Sequence, residues 1–538
     1  MESFFDSVNS PNSDSVQKII DGQVPITESG QITVKGTINA VEDINLQSGN
    51  FTNQGTVQSA AVFESSSDFS DVVNTNGLES GNQLQIADSG DIYISSETDI
   101  ENSGNIITKG DNDTAAGDIN IEAAEDITLK EDSYISALGN ADSAEGGDIN
   151  ITASAEDSGI LWQADAASSL EVGGEIKGEN IKLNSKAAAD YDWQFHFNRE
   201  KKVYARELAS IIFTEVTGLD VAYAYADADS KITIKDNANI IAQSELNINA
   251  DSTANFNFNS RSEASGRKFS LSGLYGEISS NAEVDVEKNA VISAENLNIE
   301  AKNNADYTAL VTGHSFGGSL VEPTIVFSKA DVNSRVKLHS DSDIHVGENI
   351  KLSSFNNNSF ETGATAQNNG KGVVGFAFAR FDADTNAKTI VNTDLTAADG
   401  DGLNNIYITA FDNTEKNIVK ANSRTGSGLL ENIIYSQLKG QKAEKYSNLV
   451  SENLNKLEPL NKWSGSDKTE KPKLAATLSR AITDQNAETV IGEGSKIEVN
   501  NELISAARVR DSKIRNHTTS AVKSNKEYDA QNPRSEES

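Results

Sequence analysis

The first third of the chain alternates apolar and polar residues in short runs, which are separated by clusters of Gly, Asn, Asp and Ser. Residues 117–140, GDINIEAAEDITLKEDSYISALGN, show the pattern. Alternation with a period of two predicts β-strands with one buried face, and the small polar clusters predict turns. The apolar positions of this stretch are Ile119, Ile121, Ile127, Leu129 and Ile135.

These runs recur along the chain. GDIYI begins at Gly90 and GDINI at Gly117 and again at Gly147, at intervals of 27 and 30 residues. Self-similarity with a period of this size is typical of a solenoid. A single coil cannot bury its own apolar face, so the core forms only when coils stack.

The second part of the chain repeats with a longer period. Five segments align without gaps, and their starts are 52, 52, 53 and 100 residues apart. A second strand-like run follows each segment. Fifty-two residues fit two coils of a β-helix, or one coil with a regular excursion. The five segments are ADADSKITI (226–234), ISSNAEVDV (278–286), ADVNSRVKL (330–338), ADTNAKTIV (383–391) and TDQNAETVI (483–491).

Two stretches depart from this repeat. The excursion 186–225 is longer than its counterparts and contains ELASIIFTEV, which predicts a helical portion. In the last excursion, Leu430, Ile433, Ile434 and Leu438 recur at helical spacing, and Pro459 ends the apolar run. The pattern therefore predicts a helical hairpin, residues 428–480, inserted into the solenoid.

The resulting organisation has six parts. They are a partly ordered lead-in (1–24), short-period β-helix coils (25–185), long-period β-helix repeats with excursions (186–427), the helical hairpin (428–480), a final coil (481–510) and a polar tail (511–538).

Composition narrows the function classes. The 538 residues carry a formal charge of -36, and residues 1–180 alone hold 33 Asp and Glu against 5 Lys. Such a surface repels nucleic acid and anionic membranes. The chain has no cysteine, so disulfides and zinc-thiolate sites are excluded. No signal peptide is visible at the start, and no apolar run is long enough for a transmembrane helix.

One stretch has the form of a catalytic motif. Residues 312–318, TGHSFGG, contain Gly-x-Ser-x-Gly, the nucleophile elbow of many serine hydrolases, with Ser315 as the nucleophile. An elbow requires a helix after the serine, but SLVEPTIVFS follows, with Pro323 and β-branched residues. Other repeats carry a glycine-rich turn at the same place. Ser315 is therefore expected to belong to a repeat turn.

Two polar ladders are candidates for binding. Acidic residues at strand starts could align as a calcium ladder, although the paired glycines of calcium-binding nonapeptides are missing; the simpler interpretation is a solvated surface. Asparagines recur at one position of the long repeat, where side chains could stack along the solenoid; turn asparagines are the favoured interpretation. These residues are Asp91, Asp118, Asp126 and Asp148 in the first ladder, and Asp229, Asn281, Asn333, Asn386 and Asn486 in the second.

Two further clusters have competing interpretations. An aromatic group in the first long excursion could stack on a sugar, but covering the open edge of a coil is favoured. The hairpin 428–480 could dock a partner, but packing on the solenoid is favoured. The aromatic group comprises Trp193, Phe195 and Phe197.

The repeats resemble those of large secreted bacterial exoproteins. SYISALGNADSAEGGDINITA and GQITVKGTINAVEDINLQSGN resemble coils of filamentous haemagglutinin-like proteins, and VVGFAFARFDADTNAKTIVNTDLTA resembles the longer repeats of leukotoxin-type filamentous adhesins. The resemblance covers roughly residues 25–425 and 480–508. It implies a right-handed parallel β-helix, export by a two-partner system through an outer-membrane secretion partner, and a place at the cell surface. The family's secretion domain and C-terminal anchor are not recognisable, so an internal segment is expected.

The sequence thus predicts an all-β, right-handed parallel β-helix with loop excursions and one helical hairpin. About twenty coils stacked at about 4.8 Å would make a rod on the order of 100 Å long. The expected function is a structural shaft segment of a secreted, surface-displayed adhesin that binds a host-cell or surface receptor. No enzymatic activity is expected, and no catalytic, cofactor-binding or metal-binding residue is assigned.

Two alternatives remain open. One is a polysaccharide lyase or epimerase on the same fold, for which a basic cluster beside Trp193 is the best candidate. The other is a segment of a leukotoxin-like toxin, which rests on the resemblance alone. The basic cluster comprises Arg199, Lys201, Lys202 and Arg206.

Overall fold

A computed structural model describes residues 18–20, 24–40, 43–60, 90–110, 115–138, 146–159, 162–196, 219–265, 271–316, 321–369, 374–397, 403–426, 474–511 and 514–523. Within these ranges the chain forms strands and turns and no helix. The 28 strands, β1 to β28 in chain order, are Lys18–Ile20, Val24–Val34, Thr37–Ala40, Ile44–Asn53, Thr56–Ala60, Ile92–Ser96, Ile100–Asn102, Asn105–Lys109, Ile119–Ala123, Ile127–Leu129, Tyr134–Leu138, Ile149–Ser158, Gln163–Val172, Glu175–Gly178, Ile181–His196, Leu219–Ile234, Asn239–Ala242, Glu245–Ser265, Leu271–Val286, Val291–Phe316, Val321–Leu338, Asp343–Asn369, Val374–Val391, Leu395–Ala397, Leu403–Gly426, Leu474–Ile491, Val499–Asp511 and Ile514–Lys523.

Each coil contributes a segment to three faces, and every pairing among these strands is parallel. Face A contains β6, β9, β12, β15, β18, β25, β27 and β28, with parts of β2, β4, β20 and β22. Face B contains β7, β10, β13, β16, β19, β21, β23 and β26, with parts of β2 and β4. Face C contains β1, β3, β5, β8, β11, β14, β17 and β24, with the first residues of β20 and β22. The predicted all-β class and parallel solenoid-like stacking are confirmed.

The long period corresponds to one coil and not to two. On face A the strand grows from 5 residues in β6 to 21 in β18, and on face B from 3 residues in β7 to 16 in β19. The excursions are therefore extensions of two faces of the same coil. They pair in register with the extensions above and below, so they continue the parallel sheets of faces A and B.

The main core lies inside the three faces. One coil contributes Ile119 and Ile121 from face A, Ile127 and Leu129 from face B, and Ile135 from face C, all at most 1% exposed. Burying one such side chain contributes about 1.5–3 kcal/mol. The alternation read from the sequence is thus the inward and outward alternation of this core.

A second core lies between the extended parts of faces A and B. Alanines line most of it, and a column of aromatic rings runs through it. The rings of Tyr191 and Phe256 stack with centroids 5.1 Å apart, those of Phe256 and Tyr307 at 4.6 Å, and the rings of Phe360 and Phe381 continue the column at 4.9 Å from each other. Small residues opposite the rings, such as Gly276, leave room for them.

A polar seam separates the two cores. Ser185 lies between Leu183 of the main core and Ala187 of the second core, and its hydroxyl is 2.8 Å from the hydroxyl of Ser168 on face B. Ser252 and Ser280 repeat the contact at 2.7 Å. Short hydroxyl side chains let the two sheets approach while their buried polar atoms stay hydrogen-bonded.

The turn from face B to face C repeats once per long coil. Asn237, Asn289 and Asp341 occupy it at intervals of 52 residues, with φ of 64°, 54° and 66°. Asn and Asp tolerate this left-handed conformation better than other residues that carry a Cβ atom. The repeated sequence therefore fixes the direction in which each coil closes.

Several sequence predictions differ from the structure. Residues 427–473 lie outside the described residues, but residues 474–480 of the predicted hairpin belong to strand β26, because they pair with β23 on face B. The described parts of the excursion 186–225 are strand as well. The predicted tail 511–538 includes strand β28.

The predicted number of coils is too high. Face A stacks eleven levels within the described residues, because each long repeat forms one coil. Ten spacings of about 4.8 Å correspond to a height of about 48 Å.

Candidate functional site

A groove of about 570 Å³ runs along the outside of face B, parallel to the solenoid axis. Its walls are the outward-facing residues of β16, β19, β21, β23 and β26. They are Asp227, Asp229, Ser279, Asn281, Glu283, Asp331, Asn333, Ser334, Arg335, Asn386, Lys388 and Asn486, of which Ser334 is itself buried.

The coil register builds this groove from the aligned repeats. In ADVNSRVKL, Ala330, Val332 and Val336 point inwards, so Asp331 and Asn333 point outwards. Parallel in-register pairing places the matching residues of successive coils directly above one another, which produces rows of like side chains along the axis. The acidic row is Asp227, Ser279, Asp331, Asp384 and Asp484, and the amide row is Asp229, Asn281, Asn333, Asn386 and Asn486.

The amide row is linked by side-chain hydrogen bonds. The Asn281 Nδ2 donates to Asp229 Oδ1 at 3.1 Å, and the Asn386 Nδ2 donates to Asn333 Oδ1 at 3.1 Å. The Asn333 Nδ2 also donates to Asp331 Oδ1 at 2.7 Å, which ties the two rows together. The preferred interpretation of these asparagines as turn residues is wrong, because they lie inside strands and form the stacked ladder that was the alternative.

The groove carries more negative than positive charge. Four carboxylates and two cationic side chains line it. Partial burial raises the pKa of Asp227, against a hydrogen bond from Ser279, and it raises the pKa of Asp229, against the bond from Asn281. The cation Arg335 is paired with Glu283, with Nη2 and Oε1 2.6 Å apart. The groove therefore offers many hydrogen-bonding groups and disfavours anions.

Exposed and partly exposed aromatic residues lie on the same face beside the groove. This aromatic patch comprises Tyr223, Tyr225, Tyr275, Phe327 and Phe378. The side chains of Tyr223, Tyr275 and Phe327 occupy equivalent positions in three successive coils and are 48%, 41% and 40% exposed. Tyr223 and Tyr275 stack with ring centroids 5.6 Å apart, and Phe327 and Phe378 are 5.2 Å apart.

A row of mostly charged side chains, to which Tyr225 of the patch also belongs, lies between Tyr275 and the groove. Lys329 Nζ lies 2.8 Å from Glu277 Oε1, and Arg380 Nη2 lies 2.5 Å from Asp382 Oδ2. Tyr275 precedes Ser279 of the acidic row by four residues, a distance of about 13 Å along an extended strand. The patch and the groove are thus two parallel stripes on one continuous surface.

The aligned repeats contained a signal for this patch that the sequence analysis missed. Tyr223, Tyr275 and Phe327 each lie three residues before an aligned segment. The alternation of inward and outward residues alone predicts that these three side chains face solvent. Exposed aromatic side chains at the same position of several repeats are uncommon unless they contact a ligand or another molecule.

The acidic residues of the short coils form a structural ladder. The backbone N–H of Asp118 donates to Asp91 Oδ1 and that of Asp148 donates to Asp118 Oδ1, both at 2.8 Å. Burial raises the pKa of Asp118, and the bond from the Asp148 N–H opposes that shift. Asp126 lies in a separate ladder, where its carboxylate accepts the Ser169 N–H at 2.7 Å. Among the described residues, no group of three His, Cys, Asp or Glu side chains is arranged to hold a metal ion.

The hydrolase-like motif lies at the end of a strand. Ser315 belongs to β20 and pairs with Ala264 and Asn368 of neighbouring coils. Residues 317–320 lie outside the described residues, and the next described residues form strand β21. A nucleophile elbow requires a helix after the serine. Residues 321–338 form a strand instead. The neighbouring His314 is buried, and burial together with the charge of Arg261 lowers its pKa to about 3.

The other candidates are only partly described. Trp193 lies in β15 and is half-buried against the second core, which agrees with the interpretation as a cover for a coil. Phe195 lies in β15. Phe197 and the basic cluster of Arg199, Lys201, Lys202 and Arg206 lie outside the described residues.

No protein-family model, curated protein or solved structure matches this chain. Among the described residues, no helix is long and apolar enough to cross a membrane.

Proposed function

We propose that this chain is a structural shaft segment of a secreted, cell-surface filamentous adhesin that attaches to host cells or other surfaces. The observation that carries the proposal is the register of faces A and B. From β15 to β26 the strands of both faces pair in register, so similar side chains recur in rows along the outside of face B. Such a face suits a molecule that displays contacts along its length.

The physical design supports a load-bearing or display role. Internal strands are hydrogen-bonded on both edges, and a second core with stacked rings runs beside the main core. The formal charge of -36 keeps such rods apart in solution, since like-charged surfaces repel one another.

The resemblance of the repeats to filamentous haemagglutinin-like and leukotoxin-type adhesins supplies the remaining parts of the proposal. They are a right-handed coil, export through an outer-membrane secretion partner, and a surface receptor. A chain without cysteine suits export in an unfolded state.

The test is attachment. Beads coated with the purified chain should adhere to cultured epithelial cells or to a bacterial biofilm well above beads coated with albumin. Electron microscopy of the same preparation should show particles that are narrow at the short coils and wide at the long coils, because the strands of faces A and B lengthen along the axis. Adhesion at the albumin level to both surfaces would overturn the adhesin proposal. Release of unsaturated uronate from polyuronides by the chain would instead support a lyase.

A further inference from the structure

We infer that the groove and the aromatic patch of face B together bind an uncharged, extended β-1,4-linked polysaccharide. The inference names the ligand class for the attachment face of the proposed adhesin and in that sense rests on the proposed function. It is carried by three observations: the rows of amides and carboxylates, the parallel stripe of exposed rings, and the equal spacing of both along the axis.

The polar rows match the chemistry of sugar hydroxyl groups. A hydroxyl group both donates and accepts a hydrogen bond, a carboxylate accepts only, and an amide offers both functions. In the groove, Asn281 donates to a carboxylate of its own row, Asn333 donates to a carboxylate of the neighbouring row, and Asn386 donates to Asn333, with bonds of 2.7–3.1 Å that hold their orientation. The site is therefore organised before a ligand arrives, which lowers the entropic cost of binding.

The aromatic patch supplies the complementary apolar contact. The apolar C–H groups of sugar rings pack favourably against aromatic side chains. Tyr223, Tyr275 and Phe327 present rings on three successive coils with about 40–48% exposure. A row of exposed rings beside ordered amides suits a ligand with both apolar and hydroxyl-bearing surfaces.

The spacing selects an extended polymer. Successive coils are separated by about 4.8 Å, so the amide row from Asp229 to Asn486 spans about 19 Å in four equal steps. A ribbon-like glycan that lies along the axis meets an equivalent amide at each step, whereas a coiled glycan leaves the straight row. The second stripe, about 13 Å away, contacts a neighbouring chain of the same polysaccharide.

Other polymers fit this face less well. The backbone N–H and C=O groups of internal strands are used in the parallel ladder, so a peptide cannot add itself as another strand here. Nucleic acids and sulfated or uronic glycans are repelled, because four carboxylates and only two cations line the groove.

The test is direct binding to the full chain. Cellohexaose, chitohexaose and mannohexaose are titrated by calorimetry, and insoluble cellulose and chitin are used in pull-down assays; a heparin hexasaccharide is the anionic comparison. At least one neutral glycan should bind in a saturable manner and heparin should not. Asn333→Ala should weaken the binding of the soluble hexaose by about tenfold or more, a change that corresponds to about 1.4 kcal/mol. Tyr275→Ala should lower retention on the insoluble polysaccharide, where a neighbouring glycan chain contacts the aromatic patch.

Matched variants on face A serve as controls. Tyr93 has the same 41% exposure as Tyr275, and Asn298 lies in a similar amide ladder, where it donates to Asn247 at 3.1 Å. Tyr93→Ala and Asn298→Ala should leave binding unchanged, and circular dichroism should show that all four variants keep their strand content.

Three results would overturn the inference: no binding of any of the neutral glycans, a preference for heparin, or equal losses in the face A controls. Adhesion of coated beads is measured separately. Beads that still adhere while no neutral glycan binds would reject this ligand class and leave the adhesin proposal standing.

Discussion

The fit between Gly276 and Tyr307 in the second core makes a quantitative prediction. Gly276 lies in β19 on face B, and the ring of Tyr307 comes from β20 on face A. A Cβ atom at Gly276 would lie closer than 3.0 Å to the Tyr307 hydroxyl oxygen and 3.1 Å from Phe256 Cζ. Tyr307 is fully buried, so its ring has nowhere to move. Gly276→Ala therefore overpacks this layer.

The expected magnitudes follow from the contacts. Overpacking of a buried site costs about 1–3 kcal/mol, and the gain from a less flexible unfolded chain returns about 0.4–1 kcal/mol. Tyr307→Phe alone removes the hydrogen bond that Tyr307 Oη donates to Ser328 Oγ at 2.8 Å, a loss of about 0.5–1.5 kcal/mol. In the double variant, Gly276→Ala with Tyr307→Phe, the clashing oxygen is gone. The double variant should therefore be about 1–2 kcal/mol more stable than the sum of the two single effects predicts.

The assay combines global and local measurements. Urea unfolding followed by circular dichroism gives the free energies of the two single variants and the double variant. Hydrogen exchange of peptides from 271–286 and 296–316 reports whether the loss is confined to this layer. Gly273→Ala is the matched control, because a Cβ atom at Gly273 would meet its nearest neighbour at 3.5 Å, an ordinary contact.

Additivity would refute the reasoning. If the effects of Gly276→Ala and Tyr307→Phe add to within about 0.5 kcal/mol, the hydroxyl group and the missing Cβ atom do not compete for the same space. A control variant as unstable as Gly276→Ala would show that glycine is needed in this strand for a reason other than the ring.

Three other predictions concern charged groups. Because the pKa of His314 is about 3 in the folded chain and about 6.5 when unfolded, the unfolded chain takes up the proton first as the pH falls. The free energy of unfolding should therefore decline between pH 6.5 and pH 3 by up to about 1.4 kcal/mol per pH unit. Urea titrations at pH 7 and pH 4.5 should show a smaller decline for His314→Gln than for the unchanged chain. An equal decline in both would contradict the burial of this ring. Asp229→Asn should keep the acceptor for Asn281 and remove a carboxylate whose ionisation is disfavoured. Thermal unfolding should therefore show that the variant is as stable as the unchanged chain, or more stable by no more than about 0.5 kcal/mol. A clear loss of stability would mean that the charge itself is needed. Calcium should not raise the melting temperature, because Asp91 and Asp118 already accept backbone N–H groups; a rise that chelator reverses would restore the calcium-ladder hypothesis.

The sequence by itself determined the class of the fold and the inward or outward direction of most side chains. Alternation is a local property, since successive side chains of a strand point to opposite faces. Ile119 and Ile121 were therefore recognisable as core residues. The aligned segments gave Asn333 and its equivalents one common position in the repeat, but the favoured interpretation placed that position in a turn and not in a strand. The same local property could not decide how many coils a 52-residue repeat contains.

Tertiary structure decided which distant residues meet. The lengthened strands of faces A and B fold back on each other, so Tyr307 lies against Gly276, 31 positions earlier, and Ser168 meets Ser185 at the seam. Residues 474–480 are strand because β23 offers them a partner edge. The groove and the aromatic patch exist for the same reason: each coil contributes between one and five of their side chains, and the parallel register of five coils brings those contributions into one surface.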